Sequence, residues 1–333
     1  MRAAVLIAHT LLFAAIGFGS GYSALGRYDP RLPDGISDVR DYAAIVDGST
    51  AERPASHRLY RLLVPYLAKP VRSLALGRIG SWDPTIFALV VVVGLLVGLT
   101  AAVLIDTARV AGFERSVGIV AALLLVSSFV TVNYTLVGLV DAAELLALVI
   151  AARLLLVERW ELLPFLAIAA FAKETSVVFV AAFAGSWWLA AGRPAPKRAL
   201  PSIAITTVLG LGAPSLCRLH VTGEWEWPWQ IAAGLEARTS FATELVRAFG
   251  DHALVLAFGV IVPLAIPRLA RMPRAWAVSA IVTALTAAML GAWNSAGGNI
   301  ARPMFMIGGP LLCLSAAYWW VTDSAGANDD GGL

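Results

Sequence analysis

Asp38 and Asp41, three residues apart in Ser37-Asp38-Val39-Arg40-Asp41-Tyr42, stand in the most charged part of an otherwise apolar chain. If Ser37 caps a short helix running through Tyr42 to Val46, the two carboxylates share a face. One of them could then act as general base, taking the proton from an acceptor hydroxyl as it attacks a sugar carbon. The plainer alternative is a solvated helix in which Arg40 serves as the charge partner.

Further on come His57-Arg58-Leu59-Tyr60-Arg61-Leu62-Leu63-Val64-Pro65. Read as a helix over 56–76, this stretch puts His57, Arg58 and Arg61 together and spreads Leu59, Leu62, Leu63, Tyr66 and Leu67 over an apolar side. That pattern suits a helix lying in the membrane interface. Arg58 and Arg61 could hold a phosphate or pyrophosphate through charge-assisted hydrogen bonds. The alternative is anchoring to anionic lipid head groups. Pro65 is tolerable only at a kink or near the helix start.

Three more sites carry charge where the surroundings are apolar. Asp141 and Glu144 open a hydrophobic segment, where acidic groups are rare unless they face a cavity or a partner; helix-dipole complementation explains Asp141 more readily than Glu144. Lys173-Glu174-Thr175 follows a short apolar stretch. Its Lys and Glu could bridge each other and set a helix junction, or Lys173 could meet a leaving phosphate. Arg302, in Gly297-Gly298-Asn299-Ile300-Ala301-Arg302-Pro303, is a phosphate or sugar ligand candidate or a snorkelling anchor. The two cysteines, Cys217 and Cys313, have no metal-ligand spacing and read as small buried hydrophobes. No residue is assigned as a metal ligand.

Composition says what must position these groups. The hydrophobic fraction is 59%, the charged fraction 14% and the mean hydropathy +0.77, which excludes an ordinary soluble domain. Each membrane crossing needs about 20 apolar residues. The expected fold is an all-α bundle of about ten spans, near 4–25, 84–106, 116–133, 136–157, 162–172, 175–191, 199–218, 252–267, 275–293 and 303–321. Residues 1–321 form one transmembrane domain. It has a first loop over 27–83, a second large loop over 219–250 and a disordered tail over 322–333. Sixteen of the forty-seven Asp, Glu, Lys and Arg residues fall in that first loop. Gly94 and Gly98 fit close helix packing. The Trp pairs 187–188 and 319–320, with Trp225, Trp227 and Trp229, fit interfacial belts.

Basic residues in the turns around Arg109, Arg153, Arg198 and Arg271 put both termini in the cytoplasm. Residues 162–191 read either as one long helix with Lys173-Glu174 inside it, or as two short helices meeting there. An unpaired charge within a span costs at least about 2.5 kcal/mol, so the second form is expected. Asp38, Asp41, Asp141, Lys173, Glu174, Trp225 and Arg302 then all lie on the outer side. No His-Glu-x-x-His, Gly-x-Ser-x-Gly, P-loop or dinucleotide fingerprint is present. Intramembrane proteolysis and ATP-driven transport therefore find no support, and the modest net charge of +3 gives no reason to expect nucleic acid as a partner.

In their order, these features resemble the GT-C superfamily of polytopic membrane glycosyltransferases. The match rests on the acidic motif of the first loop (Asp38, Asp41), the Arg61-x-Leu63-x-Pro65 stretch, Asp141 at a span entrance, the Lys173-Glu174-Thr175 triplet, and the Gly-rich segment ending at Arg302. The resemblance implies a polyprenyl-phosphate sugar as donor, a glycan, lipid or protein as acceptor, and transfer with inversion on the extracytoplasmic face of a cell-envelope membrane. It implies Asp38 or Asp41 as the base. The cations Arg58, Arg61, Lys173 or Arg302 would neutralise the departing lipid phosphate, with His57, Asp141 and Glu174 in the substrate site. It specifies no cofactor; a divalent metal is compatible with the acidic pair, although Asp-x-x-Asp is not the adjacent or Asp-x-Asp pattern. Acceptor recognition would fall to the loop 219–250. A lipid-linked saccharide transporter or flippase, a lipid-binding assembly subunit, and an O-antigen-ligase-like or polymerase-like enzyme are the competing readings.

Overall fold

A computed structural model describes residues 3–25, 37–49, 60–192, 196–227, 241–250, 252–293 and 300–329. All regular structure among them is helical. In chain order the α-helices are α1 (Ala3–Leu25), α2 (Ser37–Asp47), α3 (Leu63–Ala75), α4 (Pro84–Val110), α5 (Arg115–Val126), α6 (Asp141–Leu156), α7 (Thr175–Ala190), α8 (Ala199–Thr222), α9 (Phe241–Gly250), α10 (His252–Phe258), α11 (Ile261–Leu269), α12 (Arg274–Trp293) and α13 (Ala301–Asp329). A short π-helical turn, Thr131–Thr135, precedes α6, and a 3-10 helix, Trp160–Phe171, precedes α7.

The chain is a polytopic helical membrane protein. Among the described residues five helices are long and apolar enough to cross a bilayer: Ala3–Ser20, Pro84–Val110, Ala199–Thr222, Arg274–Ala292 and Ala301–Thr322. The pair α10 and α11, bent by 47° at Gly259-Val260, makes a sixth if it is one broken span. The expected count of ten is therefore corrected. The apolar windows 116–133, 136–157, 162–172 and 175–191 hold helices of only 12, 16, 12 and 16 residues. Composition marked them as spans, but the backbone breaks inside or beside them. After α5 the hydroxyls of Ser127 and Ser128 turn back onto the carbonyls of Leu123 and Leu125. The π turn follows, and Gly138 at φ 96° then reverses the chain.

Among the described residues the two largest of four buried hydrophobic clusters hold the bundle. One gathers Phe13, Tyr42, Val64, Leu89, Val93 and Leu139 around α1 to α4. The other gathers Leu125, Leu148, Phe183, Trp276 and Phe305 around α5, α6, α7, α12 and α13. α4 runs through the first, packed by α1, α3, α5 and α6. The crossing of α1 over α4 is made at Gly98, where a Cβ would collide with the backbone of Thr10 and Ala14. This is the close approach that Gly94 and Gly98 suggested.

The first loop contributes two helices clamped to the start of α4. Asp83 caps that helix, accepting from the amides of Thr85 at 2.8 Å and Ile86 at 2.9 Å, with Pro84 in the first turn. Asp47, closing α2, pairs with Arg72 of α3 at 2.8 Å, and Thr85 donates to Asp47 at 2.5 Å. One polar knot thus fixes α2 and α3 over the bundle. α2 covers the expected range, ending one residue beyond Val46. The expected helix over 56–76 is shorter: it begins at Leu63, which puts Pro65 in the first turn and leaves Arg61 ahead of the helix. Residues 50–59, with His57 and Arg58, lie outside the described residues. At the other end α13 continues to Asp329, through most of the tail expected to be disordered, because a helix already nucleated in the membrane extends readily through Ala325 and Ala327.

Candidate functional site

Asp141 is the first residue of α6 and Glu144 lies one turn on, so both project from the same face. They are 2% and 0% exposed, which demands partners. Lys173 supplies them: its Nζ donates to Asp141 Oδ1 at 2.6 Å and to Glu144 Oε1 at 3.4 Å. Lys173 stands just after the C-terminal end of the 3-10 helix, where free carbonyls favour a cation. Glu144 also accepts from the hydroxyls of Thr175 at 2.8 Å and Ser176 at 3.3 Å, in the first turn of α7. Its charge therefore faces the positive end of that helix.

Glu174 turns the other way. Its carboxylate receives a two-pronged contact from Arg61, Nε to Oε2 at 3.0 Å and Nη2 to Oε1 at 2.5 Å. Arg61 Nη1 donates to the Tyr42 hydroxyl at 3.1 Å. Burial works against charge at Glu174, yet the Arg61 guanidinium overrides it and holds the carboxyl down at about 2. Burial likewise opposes charge on Lys173, and Asp141 and Glu144 raise its pKa in spite of it. Glu174 keeps 37% of its side-chain surface, so it is not sealed in a packed interior.

Arg302 is the second residue of α13, a helix N-terminus where a cation is unfavourable. Asp141 offsets this, with Oδ2 at 3.7 Å from Arg302 Nε. That distance is too long for a hydrogen bond, and among the described residues the buried Nε has no acceptor. Asp38 and Tyr42, one turn apart on α2, complete the group: Asp38 acts electrostatically on both Tyr42 and Arg302. Asp38 is half-buried, whereas Asp41 is 4% exposed.

Asp38, Arg61, Asp141, Lys173, Glu174 and Arg302, six of the residues singled out from the sequence, therefore meet at one end of the bundle. Trp225 lies on the segment after α8, 43% exposed and edge-on to Trp227. Two expectations are corrected. Lys173 and Glu174 do not bridge each other, because the break between the helices aims them at different partners. Arg61 does not stand on a helical face, because it precedes α3 and points inward to Glu174 and Tyr42; Arg58 lies outside the described residues. Sequence reasoning missed Tyr42, Thr175 and Ser176 as partners. Tyr42 was signalled only by its place one turn after Asp38, and the two hydroxyls by their place at a helix start. Among the described residues no three His, Cys, Asp or Glu side chains stand together as a metal site.

Comparison with known proteins returns no match among family models, curated proteins or solved structures.

Proposed function

We propose that this chain is a membrane glycosyltransferase of the GT-C kind, moving a sugar from a polyprenyl-phosphate donor to an acceptor hydroxyl, with Asp38 as the base. The observation that supports this is the gathering of Asp38, Tyr42, Arg61, Asp141, Lys173, Glu174 and Arg302 from α2, the first loop, α6, the break before α7 and the start of α13. A purely structural ion pair needs two residues, not seven from five segments. The site is built on the ends of helices, and we assign it to the depth where a lipid phosphate meets water. We place it on the extracytoplasmic side, with both termini cytoplasmic.

The roles divide by what each group already holds. Lys173 is engaged by two carboxylates and serves to fix Asp141 and Glu144. Arg302 has an unspent donor, which suits it to the phosphate oxygen. Asp38, half-buried and acting on Arg302 through its charge, is the carboxylate we assign to the acceptor hydroxyl. It takes the hydroxyl proton as the acceptor oxygen bonds to the anomeric carbon. The bond from that carbon to the phosphate oxygen breaks with inversion, and the lipid phosphate leaves with the electron pair. Removing such a base costs about 10²–10⁴-fold in rate.

The test incubates the purified protein with a polyprenyl-phosphate sugar and a panel of acceptors, and follows free polyprenyl phosphate. Release that falls at least a hundredfold in Asp38→Asn, but far less in Asp41→Asn, supports the assignment. Saccharide-lipid binding or movement across vesicles without release would instead favour the transporter reading.

A further inference from the structure

α10 and α11, the two halves of the bent pair, are fastened to α13 at two points. Phe258 of α10 packs on Phe305 with ring centres 5.7 Å apart, and the buried Ser315 hydroxyl donates to the Ala265 carbonyl of α11 at 2.7 Å. Beside these contacts runs a cavity of about 160 Å³, walled by the bent pair, α12 and α13. Phe258 and Val262 line it on either side of the bend. On the other two walls the lining runs from Ala277 to Ala284 and from Met304 to Leu312, about 11 and 12 Å along the helices. The cavity is therefore a slot, long and narrow.

Small residues create it. Ala277, Ala280, Ala284 and Gly308 give its walls no more than a methyl group each. A Cβ built on Gly308 meets nothing within 4 Å, so the space begins at the α13 backbone. No lining residue has a polar side chain. Water would find no partners there, and an apolar cavity of about 150 Å³ stays dry and takes up apolar molecules. Left empty, the walls would forfeit their dispersion contacts. The slot is not sealed either. Ile281, on its lining and on a membrane-crossing helix, is 55% exposed, so the opening faces the bilayer.

We infer that the slot binds one acyl chain of a bilayer phospholipid, and that this chain completes the packing of the bent pair against α12 and α13. The medium at the opening is hydrocarbon, and a slot about 12 Å long accepts a flexible chain lengthwise. The donor lipid of the proposed transfer reaction is set apart by geometry. Arg302 is turned to Asp141 on α6, whereas Gly308 and Leu311 lie about 240° and 180° further round α13. A lipid with its phosphate on Arg302 would have to pass its tail around that helix to reach the slot. A bulk phospholipid enters from the side. Because the chain binds the folded protein and not the unfolded one, it stabilises the fold.

The experiment strips the full-length protein of lipid in detergent, then adds a phosphatidylcholine carrying a diazirine in one acyl chain. Light should attach it to peptides covering 277–284 or 304–312. Dioleoyl-phosphatidylcholine should raise the melting temperature of the stripped parent by at least about 3 °C. Gly308→Leu and Ala284→Leu each place a side chain in the slot, from opposite walls. Each should cut the labelling of these peptides at least about fivefold and remove most of the thermal response to lipid. Gly19→Leu, in open space on α1, should change neither. Should neither slot variant fold, the labelled positions and the competition by added lipid still decide the matter in the parent. Labelling that misses both peptides, labelling and thermal response that persist in a folded slot variant, or displacement of the label by undecaprenyl phosphate but not by an equal concentration of dioleoyl-phosphatidylcholine would each overturn the inference.

Discussion

Lys173 and Glu174 are neighbours in the chain, yet each completes a different ionic pair. Lys173 reaches into the bundle to Asp141 and Glu144, and Glu174 reaches to Arg61 from the first loop. The break between the 3-10 helix and α7 makes this possible. In a continuous helix, adjacent side chains diverge by about 100° around one axis. Here the junction lets one side chain brace α6 while the next anchors the first loop. Loop and bundle are thus joined through one peptide unit.

Removing one member of the Lys173–Asp141 pair leaves an uncompensated buried charge, which typically costs about 3–5 kcal/mol. Asp141→Asn should leave Lys173 with only the 3.4 Å contact to Glu144, whereas Lys173→Met should leave Asp141 with only Arg302 at 3.7 Å and Glu144 with only the Thr175 and Ser176 hydroxyls. Lys173→Met is therefore expected to be the worse. The double variant Asp141→Asn with Lys173→Met should lose less than the sum of the two single losses. Thermal unfolding of the three proteins in one detergent, analysed as a double-mutant cycle, measures this.

How much of this was visible beforehand depends on the kind of signal. α2 was legible from its leading serine and the spacing of its two carboxylates. The break at Lys173 was legible because a charge pair in mid-span is costly. The approach at Gly98 was legible from the repeated glycine. The number of spans was not, because apolar composition does not register a 3-10 stretch, a π turn or Gly138 at positive φ. The inward turn of Arg61 was hidden too. Helical spacing gave it an interfacial face, but Glu174, 113 residues away, decides where it points.

The Arg61–Glu174 pair sets an acid limit. Glu174 has its pKa lowered from 4.5 to about 2, so the folded state binds its proton more weakly than the unfolded chain does. The stabilisation is fully present above pH 4.5 and is lost as pH falls toward 2. In Glu174→Gln this part of the pH dependence should vanish, leaving a lower but flatter melting temperature between those limits. Melting curves from pH 2 to pH 6 check the slope. An unchanged slope in the variant would assign the acid sensitivity to another carboxylate.

Arg61→Lys keeps the charge and removes the fork. Lysine cannot match both oxygens of Glu174 and the Tyr42 hydroxyl together. The expected loss is about 1.5–3 kcal/mol, the scale of a hydrogen bond to a charged group. Because this contact ties the first loop to the bundle, limited proteolysis should cut within 50–62 faster in the variant. Equal cutting rates would mean that the knot of Asp47, Arg72 and Thr85 alone holds the loop.

Two glycines in membrane helices should respond in opposite directions. A methyl group at Gly98 would meet the Thr10 and Ala14 backbone, which cannot move aside as a side-chain end could. Gly98→Ala must push α1 off α4, at about 1–3 kcal/mol by analogy with overpacked cores. Gly19, on α1, has nothing within 4 Å of its notional Cβ. Gly19→Ala therefore gains only helix propensity, up to about 1 kcal/mol. Melting temperatures of the two variants should fall on opposite sides of the parent. Since α1 meets the bundle chiefly along α4, Gly98→Ala should also free α1 to move, which a spin label on its exposed residue Leu12 would report as faster motion. A Gly98→Ala protein as stable as the parent, with α1 equally immobile, would mean that the two helices separate without cost and that the crossing does not hold α1 in place.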